Sequence, residues 1–143
     1  MDTYNFPPDF DGELVTVRPD QAIATVQSLP YFVGLSGKTA NTAALSMHLV
    51  VIPPGAIASP HYHQHYETGI YVLEGEVETR YGEHLDKVSI NQAGDFLYIP
   101  PGVPHTAQNL SETTSARAIV ARNDSHEQEN VVPYTIVESA TQD

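Results

Sequence analysis

Residues 55–75 read GAIASPHYHQHYETGIYVLEG, a segment that joins a histidine cluster to a strand-like run. Its three histidines, His61, His63 and His65, stand at alternate positions. Because successive side chains of an extended chain point to opposite faces, His61 and His63 are expected on one face, close enough to share a metal ion. The apolar run over 70–73 predicts a strand, and Glu74 with Gly75 predicts the turn that ends it.

A second segment, residues 94–109, reads GDFLYIPPGVPHTAQN. Together the two segments resemble the paired motifs of the cupin superfamily. The first motif has Gly, five residues, His-x-His and a closing Gly; the second has Gly, five residues, Pro-x-Gly, two residues, His, three residues and Asn. These slots are filled here by Gly55, His61, His63 and Gly75, and by Gly94, Pro100, Gly102, His105 and Asn109. The resemblance covers residues 44–122 and implies an all-β jelly-roll barrel.

The rest of the chain favours the same fold class. Many short β-like runs are separated by Gly and Pro, and no long window has a helical period, which predicts an all-β barrel with few or no helices. A length of 143 residues predicts a single domain, 1–143. Residues 1–12 are predicted to form an extended arm, residues 14–17 a short strand, and residues 138–143 a frayed tail.

Composition limits the partners and the location of the protein. Eighteen acidic against six basic residues give a net charge of −12, which disfavours binding to nucleic acid or to anionic membranes. The chain has no cysteine, no run of 18 apolar residues and no basic, apolar leader at its start, so a cytoplasmic protein is predicted. The arm and an open sheet edge predict a homodimer.

The family resemblance implies that His61, His63 and His105 are metal ligands. The fourth ligand of the family is usually a glutamate, and here the chain departs from the pattern. Counted back from the closing glycine of the first motif, the glutamate slot holds Thr68, and Glu67 stands one position early. In a strand, one position means the opposite face, so Glu67 is expected to point away unless the chain bulges.

His48 is the candidate that replaces this glutamate. It lies 13 residues before His61, where germin-like cupins carry an asparagine that lines the pocket. The predicted metal site is therefore His48, His61, His63 and His105, with Glu67 and His65 as alternative fourth ligands. A buried, hydrogen-bonded His48 is the structural alternative. His65 is also the candidate catalytic base at the pocket mouth, and Asn109 is expected to brace the fold.

A site of neutral imidazoles leaves a bound metal its full positive charge, which favours Lewis-acid chemistry. One divalent metal per chain is predicted, zinc first, with Fe²⁺ or Ni²⁺ as alternatives. The neighbouring strands are mostly apolar, and neither motif contains Arg or Lys, the nearest being Arg80 and Lys87. A pocket without a cation predicts a neutral, apolar, oxygen-rich substrate.

The region from His48 to Asn130 resembles the small single-domain cupins of aromatic polyketide pathways, such as the cyclase of resistomycin biosynthesis. This resemblance implies ring closure of a poly-β-keto chain by aldol condensation and dehydration. Metal binding to one carbonyl oxygen would stabilise the enolate that such a reaction needs. The alternatives are an iron-dependent dioxygenase and a cupin that binds a small molecule without catalysis; a sugar isomerase is disfavoured because the motifs lack a cation.

Overall fold

The computed structural model describes residues 12–20, 22–23 and 28–136. Within these ranges the elements are β1 (Ala22–Ile23), β2 (Tyr31–Leu35), α1 (Gly37–Ala40), β3 (Ser46–Ile52), β4 (His61–His63), β5 (Thr68–Glu74), β6 (Glu76–Tyr81), β7 (Lys87–Gln92), β8 (Phe96–Ile99), β9 (His105–Asn109), β10 (Ala116–Arg122), a 3₁₀ turn (Glu127–Asn130) and β11 (Val131–Pro133). The prediction of an all-β chain with almost no helix is confirmed.

The strands form two antiparallel sheets. Across the described residues one sheet has the order β1-β2-β3-β10-β5-β8, and the other has the order β11-β4-β9-β6-β7. Neighbours in space are mostly distant in sequence, as the crossing connections of a jelly roll require. The predicted jelly-roll barrel is confirmed. Three of the candidate ligands fall on β4 and β9, which pair with each other in the second sheet, whereas His48 lies on β3 of the first sheet.

Period-two patterning explains which side chains fill the barrel. Alternate residues of β3 and of β10 are buried, and the last inward residue of β10 is Arg122. Valine and isoleucine at these positions suit a pleated surface, and each fully buried one contributes about 1.5–3 kcal/mol. The apolar core contains Leu29, Tyr31, Val50, Ile52, Ala58, Val77, Ala116, Ala118 and Val120.

Gly75 closes the turn between β5 and β6 with a φ of +91°. A Cβ atom built there would lie 2.8 Å from the Cβ of Ala116 on β10. Any residue other than glycine would be strained here, because of both the positive φ and the close approach to Ala116. This glycine therefore lets the β5–β6 turn pack directly on β10.

Asn109, the last residue of the second motif, braces the barrel as predicted. Its side chain is 1% exposed and donates to the carbonyl oxygens of Ile52, at 3.0 Å, and Thr114, at 2.8 Å. Its own oxygen accepts from the backbone N–H of Ser111 at 2.9 Å. The amide thus joins the end of β3 to the loop between β9 and β10.

The strand predicted over 14–17 is wrong, because residues 12–20 form no regular structure and the side chain of Leu14 is 99% exposed. Apart from Gly12, the predicted arm lies outside the described residues, as does the tail at 138–143. The homodimer and the single-domain boundaries stay predictions.

Among the residues that the structure describes, no helix has the length and apolar character needed to cross a bilayer. The cytoplasmic location stays a prediction.

Candidate metal centre

Three histidines converge at one end of the barrel. In the pairing of β4 with β9, His61 stands directly opposite His105, and His63 lies two residues further along the same face. One ring nitrogen from each lies within 4.8 Å of the other two. The backbone N–H of Gly102 donates to the carbonyl of His63 at 2.7 Å and ties the second motif to the first. The prediction that His61, His63 and His105 come together is confirmed.

Backbone carbonyls orient two of the rings. Nδ1 of His61 lies 2.7 Å from the carbonyl oxygen of Ser59, and Nδ1 of His105 lies 2.9 Å from that of Val103. Because a carbonyl oxygen can only accept, each Nδ1 carries the proton and donates it. Each Nε2 then keeps a free lone pair, which is the form that binds a metal.

The third ring, that of His63, is held by side chains. Its Nδ1 lies 2.8 Å from Oγ1 of Thr68, and its face stacks on Tyr66 with a centroid distance of 4.9 Å. Its Nε2 is buried and has no hydrogen-bond partner. An imidazole nitrogen buried in this way costs about 1–3 kcal/mol unless something binds it, so the three rings fit a metal ion well.

Burial keeps all three rings neutral at physiological pH. It lowers the pKa of His61 to about 3, assisted by the charge of His105, and it lowers the pKa of His105 to about 4 although the Val103 carbonyl opposes it. Burial, followed by the charge of Arg122, holds the pKa of His63 far below its ordinary value. No proton has to leave before a metal can bind.

A cavity of about 70 Å³ fills the barrel beside this cluster. Its wall is mostly aliphatic, with His61, His105 and Arg122 among its polar members. Such a volume holds several waters or a small ligand. A cleft of about 220 Å³ adjoins it and shares Thr79, Leu97 and His105 with its lining.

Arg122 corrects the expectation of a pocket without a cation. Its side chain is buried, its Nε donates to Oγ1 of Thr68 at 3.3 Å, and its NH2 donates to the hydroxyl of Tyr31 at 2.8 Å. NH1 lies 3.5 Å from Oε2 of Glu127, which is equally buried. The inward parity of β10 was a signal that could have identified Arg122 from sequence. Glu127 follows the strand in a polar link and has no such signal.

His48 does not join the cluster, which differs from the four-imidazole site predicted from sequence. Its Nδ1 accepts from the backbone N–H of Gly34 at 3.1 Å, so Nε2 carries the proton and points to Oε1 of Glu127 at 3.3 Å. Both ring nitrogens are therefore engaged. Burial by itself would raise the pKa of Glu127. The hydrogen bond from His48 and the charge of Arg122 outweigh burial and hold this pKa below its usual range. His48 orients this carboxylate and has no lone pair left for a metal.

The two alternative fourth ligands lie on the surface. The carboxylate of Glu67 is exposed and accepts from the hydroxyl of Tyr98 at 2.8 Å and from Nδ2 of Asn123 at 3.2 Å. The next residue, Thr68, is fully buried, which confirms the parity argument. His65 is exposed in the bend between β4 and β5 and lines neither the cavity nor the cleft, so the structure does not place it as a catalytic base.

Replacing His48 by alanine is expected to destabilise the protein without removing a bound metal. The change removes the hydrogen-bond partner of the Gly34 N–H and one of the partners of Glu127, at a cost of about 1–3 kcal/mol. Glu67→Gln, at an exposed site, should change stability by less than about 0.5 kcal/mol and also retain metal. Urea unfolding and metal analysis of the folded variants measure both effects. Loss of metal from a folded His48→Ala protein would contradict this assignment.

Comparison with known proteins places the fold in a family. A model of the cupin domain matches residues 48–122. Germin-like protein subfamily T member 3 of Arabidopsis thaliana is 31% identical over 129 residues, which is 87% of this chain and 53% of that protein. The chain thus spans about half the length of this curated relative.

Solved structures share the fold at low identity. An oxalate oxidase in complex with the substrate analogue glycolate superposes with a TM-score of 0.69 and 22% identity, over 88% of this chain and 67% of the other. The oxalate decarboxylase of Lactobacillus farciminis, in a formate complex, superposes with a TM-score of 0.66 and 18% identity. The match covers 79% of this chain and 33% of the decarboxylase. Since the matched region carries both motifs and the three converging histidines, this chain belongs to the cupin family.

Proposed function

We propose that this cupin is a metal-dependent enzyme in which the Nε2 atoms of His61, His63 and His105 hold one divalent metal, zinc being the first candidate and Fe²⁺ or Ni²⁺ the alternatives. The observation that carries the proposal is the convergence of these nitrogens, one of them buried without a partner. Three protein ligands with an open position are typical of catalytic zinc, whereas structural zinc has four. Two structurally similar proteins are enzymes by name, which supports catalysis over simple binding.

The bound metal would act as a Lewis acid toward a substrate oxygen. The protein's own contribution is to hold the ligands and to shape the space. The carbonyls of Ser59 and Val103 keep His61 and His105 in the metal-binding tautomer. The mostly aliphatic wall lowers the local dielectric constant and so strengthens electrostatic interactions inside the cavity. The small volume favours a small oxygen-bearing substrate or the reacting end of a larger one.

The polyketide cyclase inferred from sequence is the second candidate, and the apolar lining of the cavity favours it. A drug-sized ligand usually occupies about 300–1,000 Å³, so a poly-β-keto chain would have to lie mainly in the adjoining cleft. One of its carbonyls would then reach the histidines past His105, which lines both spaces. An iron-dependent dioxygenase and a non-catalytic binder are the remaining candidates.

The purified protein is expected to contain about one divalent metal per chain, because the three ligands need no deprotonation at neutral pH. Elemental analysis of protein prepared without added metal measures this.

With a Lewis-acid metal, turnover of a β-diketone or small keto-acid panel should be the same with and without oxygen. Activity that requires both iron and oxygen would support the dioxygenase. A folded protein that neither carries nor takes up metal would leave only the binding role.

A further inference from the structure

We propose that two copies of this chain pack face to face through the outer face of the six-stranded sheet, with Phe96 of each copy seated in a depression beside Gly69 of the other. The outer face consists of the side chains on β2, β3, β10, β5 and β8 that point away from the barrel core. The proposal concerns assembly and is independent of the metal centre. It places the contact on the face of the sheet, whereas the sequence predicted pairing through the arm and an open sheet edge.

The outer face is apolar across its width. Strand register places one row of large apolar side chains across five neighbouring strands: Phe32 of β2, Leu49 of β3, Ile119 of β10, Tyr71 of β5 and Phe96 of β8. An antiparallel sheet that covers a core with one face commonly presents polar residues to water on the other. A sheet that is apolar on both faces therefore indicates that something covers the outer one.

Much of this apolar surface is exposed in the single chain. Phe96 is 80% exposed, Tyr98 57% and Tyr71 36%. Because an aromatic side chain presents about 150–250 Å², these three rings alone offer on the order of 350 Å². Met47 and Leu73 on the same face are exposed as well and enlarge the area. A stable interface takes about 800 Å² from each partner, so this face supplies a large part of what a dimer needs.

The charge of the chain favours a second copy at this face over contact elsewhere. With a net charge of −12, two copies repel each other wherever their acidic surfaces would meet. On the five described strands, the charged side chains that border the outer face are Arg117 and Glu74, which pair with each other at 3.4 Å. Two such faces can therefore meet without bringing unpaired like charges together.

The outer face also carries a protruding ring and a depression that fits it. Gly69 and Ala121 stand opposite each other on β5 and β10, and a Cβ atom built at Gly69 would meet nothing within 4 Å. Together with Leu45 and Tyr98 they line a depression of about 350 Å³. Phe96 lies two residues from Tyr98 on β8, next to this depression. A two-fold axis between the copies, crossing the line from Phe96 to Gly69, seats each ring in the depression of the other copy.

The acidic side chain at the depression does not oppose this contact. Glu67 lies at its border, where Oε1 accepts from the hydroxyl of Tyr98 at 2.8 Å and Oε2 accepts from Nδ2 of Asn123 at 3.2 Å. Both oxygens are thus already hydrogen-bonded within the chain. A phenyl ring that enters beside them leaves these bonds in place.

Sedimentation velocity of the full-length protein at micromolar concentration tests the proposal, and the wild type should sediment as a dimer. Phe96→Glu, at an exposed position, should weaken dimerisation by at least about 100-fold, because a charge replaces the ring at the centre of the contact. Gly69→Gln fills the depression from within its own chain and should also give a monomer. Ile90→Glu, 54% exposed on β7 of the other sheet, is the matched control and should dimerise like the wild type.

The outcomes that overturn the proposal are distinct. A monomeric wild type would leave the outer face to residues 1–11 of the same chain or to another protein. A dimer that persists in both Phe96→Glu and Gly69→Gln would place the interface elsewhere, and a dimer disrupted only by Ile90→Glu would place it on the other sheet. Circular dichroism checks the fold of each variant. Should Phe96→Glu not fold, Phe96→Ala is expected to weaken dimerisation by about 10-fold, and an unchanged dimer would overturn the proposal.

Discussion

Changing His63 to alanine is expected to weaken metal binding by more than about 100-fold. Two histidines would remain, and a water molecule replaces the missing imidazole only in part. Changing Thr68 to valine removes only the partner of Nδ1 and should cost about 10–100-fold, the usual range for a residue that orients a ligand. The graded loss follows from the observed contact of 2.8 Å between Thr68 and the ring.

Chelator competition with folded variants measures this series. His65→Ala is the matched control, because His65 is two residues away in the same segment but exposed, and it should bind metal like the wild type. Equal losses of metal affinity for His63→Ala and His65→Ala would contradict the assignment of the buried His63, rather than the exposed His65, as the ligand. An unchanged affinity for Thr68→Val would show that the orientation of His63 does not depend on its hydroxyl partner.

The metal-free protein is expected to lose stability steeply as the pH falls below about 6.5. In the unfolded chain the three histidines take up protons near pH 6.5, whereas in the folded chain the pKa of His61 is about 3, that of His105 about 4, and that of His63 also strongly lowered. Between these limits the unfolded state binds more protons, so the free energy of unfolding decreases with falling pH and is fully recovered above pH 6.5.

The size of this effect makes it easy to detect. Each buried histidine contributes about 1.4 kcal/mol per pH unit, so the three together contribute about 4 kcal/mol per unit. Since a domain is usually stable by 5–15 kcal/mol, the apo protein should unfold near pH 5. Urea unfolding of chelator-treated protein at pH 7.5, 6.5 and 5.5 tests this, and equal stability at the three values would contradict it.

A bound metal should shift the acid transition to lower pH, because it stabilises only the folded state. If the three histidines had ordinary pKa values near 6.5, metal binding would weaken as the pH falls toward about 6. Burial changes this, since protons compete for the folded ligands only near their lowered pKa values. Metal retention at pH 5.5 by folded protein is therefore expected, and release at pH 6 would argue for ligands more exposed than these.

The local pattern of the chain was enough to predict the barrel and the three histidines that converge in it. His61 and His63 share a face because strand side chains alternate, and the same rule places Thr68 inside and Glu67 outside. The motif glycine Gly75 marks a turn with positive φ that few other residues adopt. These features depend on neighbours within a few residues and so can be recognised in the sequence.

The surroundings of the cluster depended on tertiary structure. The ring of His48 was predicted to face the metal, but the 3₁₀ turn after β10 brings Glu127 to its Nε2, and Gly34 from β2 binds its Nδ1. Arg122 becomes part of the cavity because β10 pairs between β3 and β5 and turns its inward face to the histidines. A buried charge requires partners, and two of those of Arg122, namely Thr68 and Tyr31, are distant in sequence and reach it only in the folded barrel.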